Sequence, residues 1–283
     1  MELRLKAGPA GAQYGPMPGP AQKSDDYWRD FLSHPDTLMR HGRRFLSRLP
    51  ADPRCRLCAG PFTGAGGLAM RLIGKRQSTA NPNYCTSCES ILLKHHGGAE
   101  VTGSCLFADI RGSTALAENI SPTDYRQLLD RFYTAASETV FSNDGMVDKF
   151  VGDELMAVFP PMLGQAEHPA RAVACAQALM RVTGHEDPTG PWVPIGAGVH
   201  TGLIWFGAVG EGAHVELTVV GDPVNVTARL AAAAEPGEIL VSAEAAAKAG
   251  LGGALPRRTL ELKGKSEPIE VVSLQVAVAA TAN

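Results

Sequence analysis

The apolar positions between residues 101 and 275 first form a run of strand length and then recur at helical spacing. SCLFADI, at 104–110, is an apolar run of strand length that ends on an acid. Apolar residues at helical spacing then follow SPT at 121–123, a typical helix start, and stop at NDG, 143–145. This part of the chain is therefore predicted to begin with a strand and a helix.

The elements that follow complete an alternation of strands and helices. MVDKF and ELMAVF are predicted strands joined at VGD, a second helix covers roughly His168 to Arg181, and VPIGAGVH is predicted to form a further strand pair with LIWFGAVG. The order strand, helix, strand, strand, helix, strand is that of the ferredoxin-like βαββαβ unit. We therefore predict an α/β fold, in detail an α+β sandwich with one mainly antiparallel sheet.

The first 100 residues follow a different pattern. Pro35 divides an amphipathic segment, which predicts a short helix followed by a longer one ending at Pro50. The apolar stripe of this segment consists of Phe31, Leu38, Phe45 and Leu49. The chain is predicted to comprise a disordered Gly/Pro/Ala-rich leader (1–23), a helical segment with a four-cysteine module (24–100), the α/β unit (101–275) and a tail (276–283).

The charge is distributed unevenly along the chain, whose formal net charge is -3. Residues 1–100 carry 14 Lys and Arg against 8 Asp and Glu, which leaves 12 against 21 for the rest. Metal-bound thiolates would cancel much of the basic excess, so nucleic-acid binding is not favoured. With no run of about 18 apolar residues and no secretory signal pattern, we expect a cytoplasmic protein without a membrane partner.

Four of the six cysteines form two CxxC pairs separated by 26 residues, Cys55/Cys58 and Cys85/Cys88. In a reducing compartment such pairs are typical metal ligands, and a structural Zn²⁺ is the favoured interpretation. An iron–sulfur or redox-sensing site and a pair of disulfides or unligated thiols are the alternatives. His95 and His96 are spare ligand candidates only, and Cys105 and Cys175 are interpreted as small core residues.

Two acids are predicted to meet although 43 positions separate them. In a βαββαβ sheet the end of the first strand adjoins the start of the third, which places Asp109 beside Asp153. With the backbone carbonyl of Ile110 they form an oxygen-rich site suited to Mg²⁺ or Mn²⁺. A lone Asp would more simply cap a turn, but a nearby lysine and an Asn/Arg pair one helical turn apart favour metal-assisted phosphoryl transfer on a nucleotide.

Five segments, in order, resemble the catalytic domain of class III nucleotidyl cyclases: FADIRGST, DKFVGDELMAVF, GVHTG, TVVGDPVNVTARL and ELKGKSEPIEVV. In that family two catalytic domains pair head to tail and build the active sites at their interface. The resemblance implies a homodimer and two Mg²⁺ or Mn²⁺ ions per site. It further implies the following roles: metal binding for Asp109 and Asp153 of one protomer, purine reading for Lys149 and Thr218 of the other, transition-state contacts for Asn225 and Arg229, and a polyphosphate contact for Lys263.

The implied reaction is conversion of ATP to 3′,5′-cyclic AMP and pyrophosphate. A lysine and a hydroxyl suit the N1 acceptor and N6 amino group of adenine, whereas the N1–H of guanine would face the lysine donor, so ATP is favoured with some use of GTP. Leu203 stands where certain relatives carry a phosphate-binding arginine, and His200 is expected to make a structural hydrogen bond.

Two other functions compete with this interpretation. VGDEL resembles the GGDEF signature of diguanylate cyclases, but the two-glycine turn is missing and the Asn/Arg helix belongs to the other family. A catalytically silent, cyclase-like dimer that acts as a metal-binding signalling scaffold is the second alternative. Replacing Asp109 or Asp153 by Ala would abolish turnover in an enzyme and leave a scaffold unaffected.

Overall fold

The computed structural model describes residues 21–33, 37–47, 53–210, 215–262 and 267–276. Within them the helices are α1 (Ala21–Ser33), α2 (Thr37–Ser47), α3 (Gly64–Leu72), α4 (Thr86–Lys94), α5 (Ser113–Asn119), α6 (Pro122–Ser142), α7 (Pro161–Gly164), α8 (His168–Val182), α9 (Asp222–Ala233) and α10 (Ala243–Lys248), with a 3₁₀ turn at Gln165–Glu167. The strands are β1 (Gly97–Ile110), β2 (Met146–Val151), β3 (Glu154–Phe159), β4 (Ile195–Val209), β5 (Glu216–Val220), β6 (Glu238–Ser242), β7 (Arg257–Leu260) and β8 (Ile269–Gln275).

The described strands form one mixed sheet. Its order is β2-β3-β1-β4-β6-β8-β7, and β5 pairs with the last part of β4. Strand β1 is antiparallel to both β3 and β4, whereas β6 runs parallel to β4. The order β2-β3-β1-β4, with helices after β1 and β3, is that of the ferredoxin-like unit. The α/β fold and its βαββαβ core are therefore confirmed, and β5 to β8 extend the core.

An apolar cluster covers each face of the sheet, because successive residues of a strand point to opposite faces. Leu106 and Ala108 of β1 pack with α6, α8 and α10. Cys105 and Phe107 point the other way, into a cluster that includes side chains of α1 and of the four-cysteine module, residues 53–94. The module and the sheet therefore share one cluster, to which Trp28, Leu57, Tyr84, Phe206 and Leu217 belong.

Helix α6 has the start that the sequence predicts. The hydroxyl of Ser121 accepts a hydrogen bond of 3.1 Å from the N–H of Asp124, and Pro122 occupies the first turn. Because the proline lacks an N–H, it leaves no donor unsatisfied there. The helix ends at Ser142, just before NDG at 143–145, as predicted, and β2 begins directly after these residues.

A buried carboxylate joins the N-terminal helices to the main unit. Asp144 is 3% exposed and lies in the left-handed conformation, with a φ of +59°. It forms ion pairs with Arg44 of α2 at 2.6 Å and with Arg171 of α8 at 2.8 Å. Removing any one of the three charges would leave a buried or half-buried charge without its full set of partners.

One predicted feature of the fold is wrong. VPIGAGVH and LIWFGAVG form the single strand β4 and not a strand pair, because Gly202 continues the pairing with β1. This glycine serves close packing instead of a turn, since a Cβ there would lie 2.7 Å from the ring of Pro223. Within the described residues α1 has 13 residues and α2 has 11, and the predicted end of the second helix at Pro50 lies outside them.

The buried stripe of the N-terminal helices lies on α1. Trp28 and Leu32 are fully buried, and Trp28 packs edge-on against Phe206 with ring centroids 6.4 Å apart. Phe45 of α2 is 65% exposed and therefore does not take part in packing within the chain. The side chain of Leu38, Leu49 and residues 1–20 of the predicted leader lie outside the described part of the chain. None of the described helices combines the length and apolar character that a membrane span requires.

Candidate active site

Two aspartates lie side by side at one edge of the sheet. Asp109, near the end of β1, pairs with Glu154 at the start of β3. Asp153 lies in the turn between β2 and β3, next to Gly152, whose φ of +60° suits a tight turn. Asp153 lies close enough to Asp109 to help raise the pKa of its carboxyl group. The antiparallel pairing of β1 and β3 thus brings together the two acids that the sequence singles out.

Burial, and then repulsion between the acids, disfavours the ionised form of Asp109 and Glu154 at this edge. Burial is the main reason why the pKa of Asp109 is raised to about 6, and Asp153 adds to the effect while Arg111 opposes it. The pKa of Glu154 is also raised to about 6, by burial and then by the two aspartates. A divalent cation would relieve this repulsion, and carboxylate oxygens are the donors that Mg²⁺ and Mn²⁺ prefer. The main-chain N–H of Ile110, whose side chain is buried, opposes the rise in the pKa of Asp109.

Arg111 is a site residue that the sequence analysis missed. Its guanidinium forms an ion pair with Asp109 and also donates to the carbonyl of Ala232, at 3.1 Å, near the end of α9. The same side chain therefore ties the acidic edge to α9, the helix that contains the Asn/Arg pair. Its signal in the sequence is a cation two residues after a candidate metal ligand in FADIRGST.

The two predicted purine-reading residues meet at one carboxylate. Lys149 lies in β2 and Thr218 in β5, and both reach Oδ2 of Asp148. The Nζ of Lys149 is 3.8 Å from that oxygen, and the hydroxyl of Thr218 donates a hydrogen bond of 3.2 Å to it. Lys149 also lies 3.6 Å from Glu216. The pairing of β2 with β3 shifts register between Val147 and Lys149. Such irregularities redirect side chains, and this one lies where Asp148 and Lys149 face the same site.

Asp148 is a second residue that the sequence analysis missed. It is 4% exposed, and burial raises its pKa, while Lys149 and Thr218 oppose the shift. Its Oδ1 atom has no hydrogen-bond partner among the described residues. A buried carboxylate is costly unless it is paired, so the contacts of Oδ2 hold this acid in place. Its signal in the sequence is an acid in the middle of the apolar strand MVDKF.

The Asn/Arg pair lies on α9, which packs against β4 and β1. Asn225 is exposed and Arg229, one turn later on the same face, is half-buried. Within the described residues neither side chain makes a hydrogen bond or an ion pair, so both can contact a ligand. Lys263, the predicted polyphosphate contact, lies outside the described residues.

The four cysteines of the two CxxC pairs converge on one point. The Sγ atoms of Cys55, Cys58, Cys85 and Cys88 all lie within 4.8 Å of one another, and all four residues are buried. The Cys58 and Cys85 sulfurs are 3.9 Å apart, and a tetrahedral ion with Zn–S bonds of about 2.3 Å needs edges of about 3.8 Å. Contact with Cys55 is the main reason why the pKa of Cys58 is lowered to about 7. The cluster therefore fits a metal that prefers thiolates.

A buried guanidinium lies beside this cluster. Arg43 of α2 is 3% exposed and donates to the carbonyls of Leu57, Arg56 at 3.2 Å and Gly145 at 2.6 Å. Burial lowers its pKa, and the thiol of Cys58 opposes that shift. Four thiolates around a divalent ion carry a net charge of about −2, so Arg43 is placed to compensate part of it.

The remaining candidate residues have structural roles. Cys105 and Cys175 are fully buried, as predicted for core residues. His200 makes the expected structural hydrogen bond, with Nδ1 2.7 Å from the hydroxyl of Ser242. His95 stacks on Tyr27 with ring centroids 3.7 Å apart. Neither His95 nor its neighbour His96 belongs to the cysteine group found in the described residues.

Comparison with known sequences identifies relatives of the α/β unit. A sequence model of the adenylate and guanylate cyclase catalytic domain matches residues 99–273. The uncharacterised protein Rv1318c of Mycobacterium tuberculosis is 34% identical over 187 residues, which cover 62% of this chain and 33% of that protein. Rv1319c of the same organism is 36% identical over 152 residues, or 52% of this chain and 28% of that protein. The chain thus spans a third or less of the length of these relatives.

Solved structures share the fold and include cyclases of both base specificities. The guanylyl cyclase Cya2 matches with a TM-score of 0.57 and 25% identity, over 66% of this chain and 98% of that one. The adenylyl cyclase CyaB from P. aeruginosa matches with a TM-score of 0.55 and 26% identity, over 66% and 99%. Catalytic domains of this type use divalent metals, bind nucleotide and usually dimerise. Because the family match covers more than half of the chain, this protein belongs to the adenylate and guanylate cyclase catalytic-domain family.

Proposed function

We propose that this protein is an adenylyl cyclase that converts ATP to 3′,5′-cyclic AMP and pyrophosphate in a head-to-tail homodimer. The observation that carries the proposal is the meeting of Lys149 and Thr218 at Asp148. It presents a positively charged donor and an oriented hydroxyl side by side, as recognition of a purine edge requires. The acids at the edge of the sheet and the Asn/Arg pair supply the groups for the chemistry.

The direction of one hydrogen bond favours adenine. Because the hydroxyl of Thr218 donates to Asp148, its lone pairs remain to accept a hydrogen bond from the N6 amino group of adenine. Lys149 can then donate to adenine N1. Guanine would present its O6 acceptor to the lone pairs of the hydroxyl and its N1–H to the lysine, so both contacts would be lost. We therefore infer that ATP is the preferred substrate.

The chain provides groups for each part of the cyclisation. In the reaction the ribose 3′-oxygen bonds to the α-phosphorus, the bond to pyrophosphate breaks, and the 3′-hydroxyl loses its proton. Asp109 and Asp153 would hold two Mg²⁺ or Mn²⁺ ions, which when bound lower the pKa of that hydroxyl and neutralise the polyphosphate. Arg229 stabilises the charge that develops on the α-phosphate, Asn225 orients the ribose, and Lys263 contacts the polyphosphate.

The resemblance to class III cyclases assigns the acids and the Asn/Arg pair of one site to different protomers. Asn225 and Arg229 have no partner within the described residues, which agrees with a ligand shared between two chains. Leu203 of β4 and Val220 of β5 are 59% and 48% exposed, and such apolar side chains are suited to a protein interface. Two equivalent sites would result from the two-fold pair.

We propose that the four-cysteine cluster holds a structural Zn²⁺. The proposal is supported by four buried sulfurs at tetrahedral spacing and by the buried cation Arg43 beside them. An iron–sulfur centre uses the same ligands and is distinguished by its visible absorption. Metal analysis of the purified protein, with one equivalent of zinc per chain as the expected result, tests the assignment.

Product analysis tests the enzymatic function. Purified full-length protein is incubated with ATP or GTP and either Mg²⁺ or Mn²⁺, and chromatography separates 3′,5′-cyclic nucleotides from linear products. Cyclic AMP and pyrophosphate in equal amounts are expected, with less product from GTP. A folded dimer that forms no cyclic product under any of the four conditions would overturn the proposal and favour the silent scaffold.

A further inference from the structure

We propose that the four-cysteine metal site positions the two purine-reading residues and thereby controls nucleotide affinity and the choice between ATP and GTP. The inference rests on the proposed roles of Lys149 and Thr218. Two hydrogen bonds between the module and the main chain of β2 and β5 support the inference. In each, a residue adjacent to a cysteine of the cluster binds the main chain of the residue directly before a purine reader.

The first hydrogen bond comes from Arg56, the residue after Cys55. Its Nη1 donates to the carbonyl oxygen of Asp148 at 2.6 Å, and Asp148 directly precedes Lys149. Asp148 is also the acid that Lys149 and Thr218 both contact. Arg56 therefore fixes the main chain of the residue on which the purine-reading pair converges.

The second hydrogen bond comes from Tyr84, the residue before Cys85. The hydroxyl of this buried tyrosine accepts a hydrogen bond of 3.2 Å from the N–H of Leu217, which directly precedes Thr218. Asn81 adds a third contact, since its Nδ2 donates to the carbonyl of Val215 at 2.8 Å. Strand β5 is thus paired with β4 on one side and held by the module on the other.

The cysteine cluster fixes these contacts relative to one another. The N–H of Arg56 donates to the carbonyl of Asn83 at 3.0 Å, and the N–H of Cys85 points to the sulfur of Cys55 at 3.3 Å. An ion bound by all four sulfurs would lock the two CxxC segments together. Its loss would free them to separate. Because Arg56 and Tyr84 bind main chain, such a separation would move β2 and β5 themselves and change the spacing of the purine readers.

The module acts on the base and not on the reacting phosphate. Within the described residues it makes no hydrogen bond or ion pair with Asp109 or Asp153. We therefore expect its perturbation to raise KM and weaken base discrimination, while kcat changes little. A general loss of structure would instead lower kcat for both nucleotides together.

Matched pairs of variants test the proposal in the full-length protein. Tyr84→Phe removes only the hydroxyl that binds Leu217, and Arg56→Gln removes the guanidinium that binds Asp148. The control for the first is Trp28→Phe, which deletes a part-buried hydrogen bond of the same apolar cluster, to the carbonyl of His95, together with part of the buried ring. The control for the second is Arg54→Gln. Arg54 lies on the other side of Cys55, and its guanidinium donates to the carbonyl of Leu46.

The readouts are steady-state kinetics with ATP and with GTP, together with displacement of a fluorescent N-methylanthraniloyl-ATP by each nucleotide. Tyr84→Phe and Arg56→Gln are expected to raise KM for ATP about tenfold and to lower the ATP:GTP ratio of kcat/KM about fivefold, with kcat within about twofold. The controls should leave both quantities within about twofold of the wild type. If Tyr84→Phe fails to fold, Arg56→Gln, which alters a half-buried side chain, decides the question.

Metal removal provides an independent arm. Cys58→Ser removes one ligand, and elemental analysis should show the metal content falling together with the ATP:GTP ratio. Suppose that the wild type turns over nucleotide, and that Tyr84→Phe, Arg56→Gln and the metal-depleted protein all keep its KM and its ATP:GTP ratio of kcat/KM. This result would overturn the present inference and leave the proposed function intact. Absence of wild-type turnover would overturn the proposed function, and the displacement measurement would then still test whether the module governs nucleotide binding.

Discussion

The hydroxyl of Thr218 donates a hydrogen bond of 3.2 Å to the buried carboxylate of Asp148. A hydroxyl can rotate to donate or to accept, and this bond decides which it does. The carboxylate can only accept, so the hydroxyl hydrogen is committed to it. Asp148, which the ligand need not contact, therefore decides that the hydroxyl of Thr218 accepts a hydrogen bond from a ligand and does not donate one.

Asp148→Asn should weaken the preference for ATP. The amide keeps the size of the side chain, but it removes the charge that attracts Lys149 and can donate to Thr218, which would turn the hydroxyl toward the ligand as a donor. We expect the ATP:GTP ratio of kcat/KM to fall about tenfold. Steady-state kinetics with both nucleotides measures it. Glu216→Gln is the control, because that acid also lies near Lys149 but is largely exposed, and an equal loss for both nucleotides in Asp148→Asn would show a purely structural role.

Asp153→Asn and Arg229→Ala should complement each other. Each change alone is expected to lower kcat at least about 100-fold, because one removes a metal ligand and the other a stabilising charge. If the two residues of one site come from different protomers, half of the dimers in an equimolar mixture are mixed and contain one intact site. Activity should then recover to about a quarter of the wild-type value. No recovery, with subunit exchange verified by fluorescence energy transfer, would place both residues in one protomer.

His168 should make the protein less stable in acid. Burial, followed by Lys248, lowers its pKa to about 4, below the ordinary value of 6.5. The unfolded chain therefore binds the proton more readily, so the contribution of His168 to stability is complete above pH 6.5 and is lost as the pH falls toward 4. Between pH 7 and pH 5 the wild type should lose about 2 kcal/mol more stability than His168→Asn.

Denaturant unfolding of both proteins at the two pH values measures this difference. His185, whose pKa is also lowered by burial, is present in both proteins and cancels in the comparison. Equal losses of stability in the two proteins would show that His168 is not responsible.

Asp144→Asn should destabilise the fold. Asparagine tolerates the left-handed conformation at this position, so the change isolates the loss of charge toward Arg44 and Arg171. We expect the free energy of unfolding to fall by about 3 kcal/mol. Asp130→Asn, which breaks an exposed ion pair with Arg126, should cost less than about 1 kcal/mol in the same thermal or denaturant assay. Similar costs for the two variants would contradict the role given to burial.

Asp109 and Asp153 could be placed together from the sequence, because the order of strands and helices determines which strand ends adjoin. The helix capped by Ser121 could also be placed, but for a different reason: its start depends on neighbouring residues alone. Strand β4 was harder: a glycine in an apolar run indicates a turn or a close approach, and only the position of Pro223 decides between them. Local patterns are sufficient where the cause is local.

The roles of Asp148, Arg56 and Tyr84 could not be assigned from the sequence, although an acid in the middle of the apolar strand MVDKF marks Asp148 as unusual. Each gains its role from a contact with a residue more than 65 positions away, and no spacing rule relates such residues. The two CxxC pairs predict a common site for four sulfurs, but they do not indicate the surface on which that site rests. The packing of the module on the sheet supplies this information.

The apolar cluster shared by the module and the sheet places the domain boundary of this chain before the start of the family match. The family match begins at residue 99, yet Phe206 and Leu217 of the matched region are buried among side chains from residues before it. A fragment cut at that boundary would expose these apolar side chains to water and would tend to aggregate. The unit that folds therefore includes the cysteine segment, and a boundary drawn from sequence similarity would pass through the middle of one hydrophobic core.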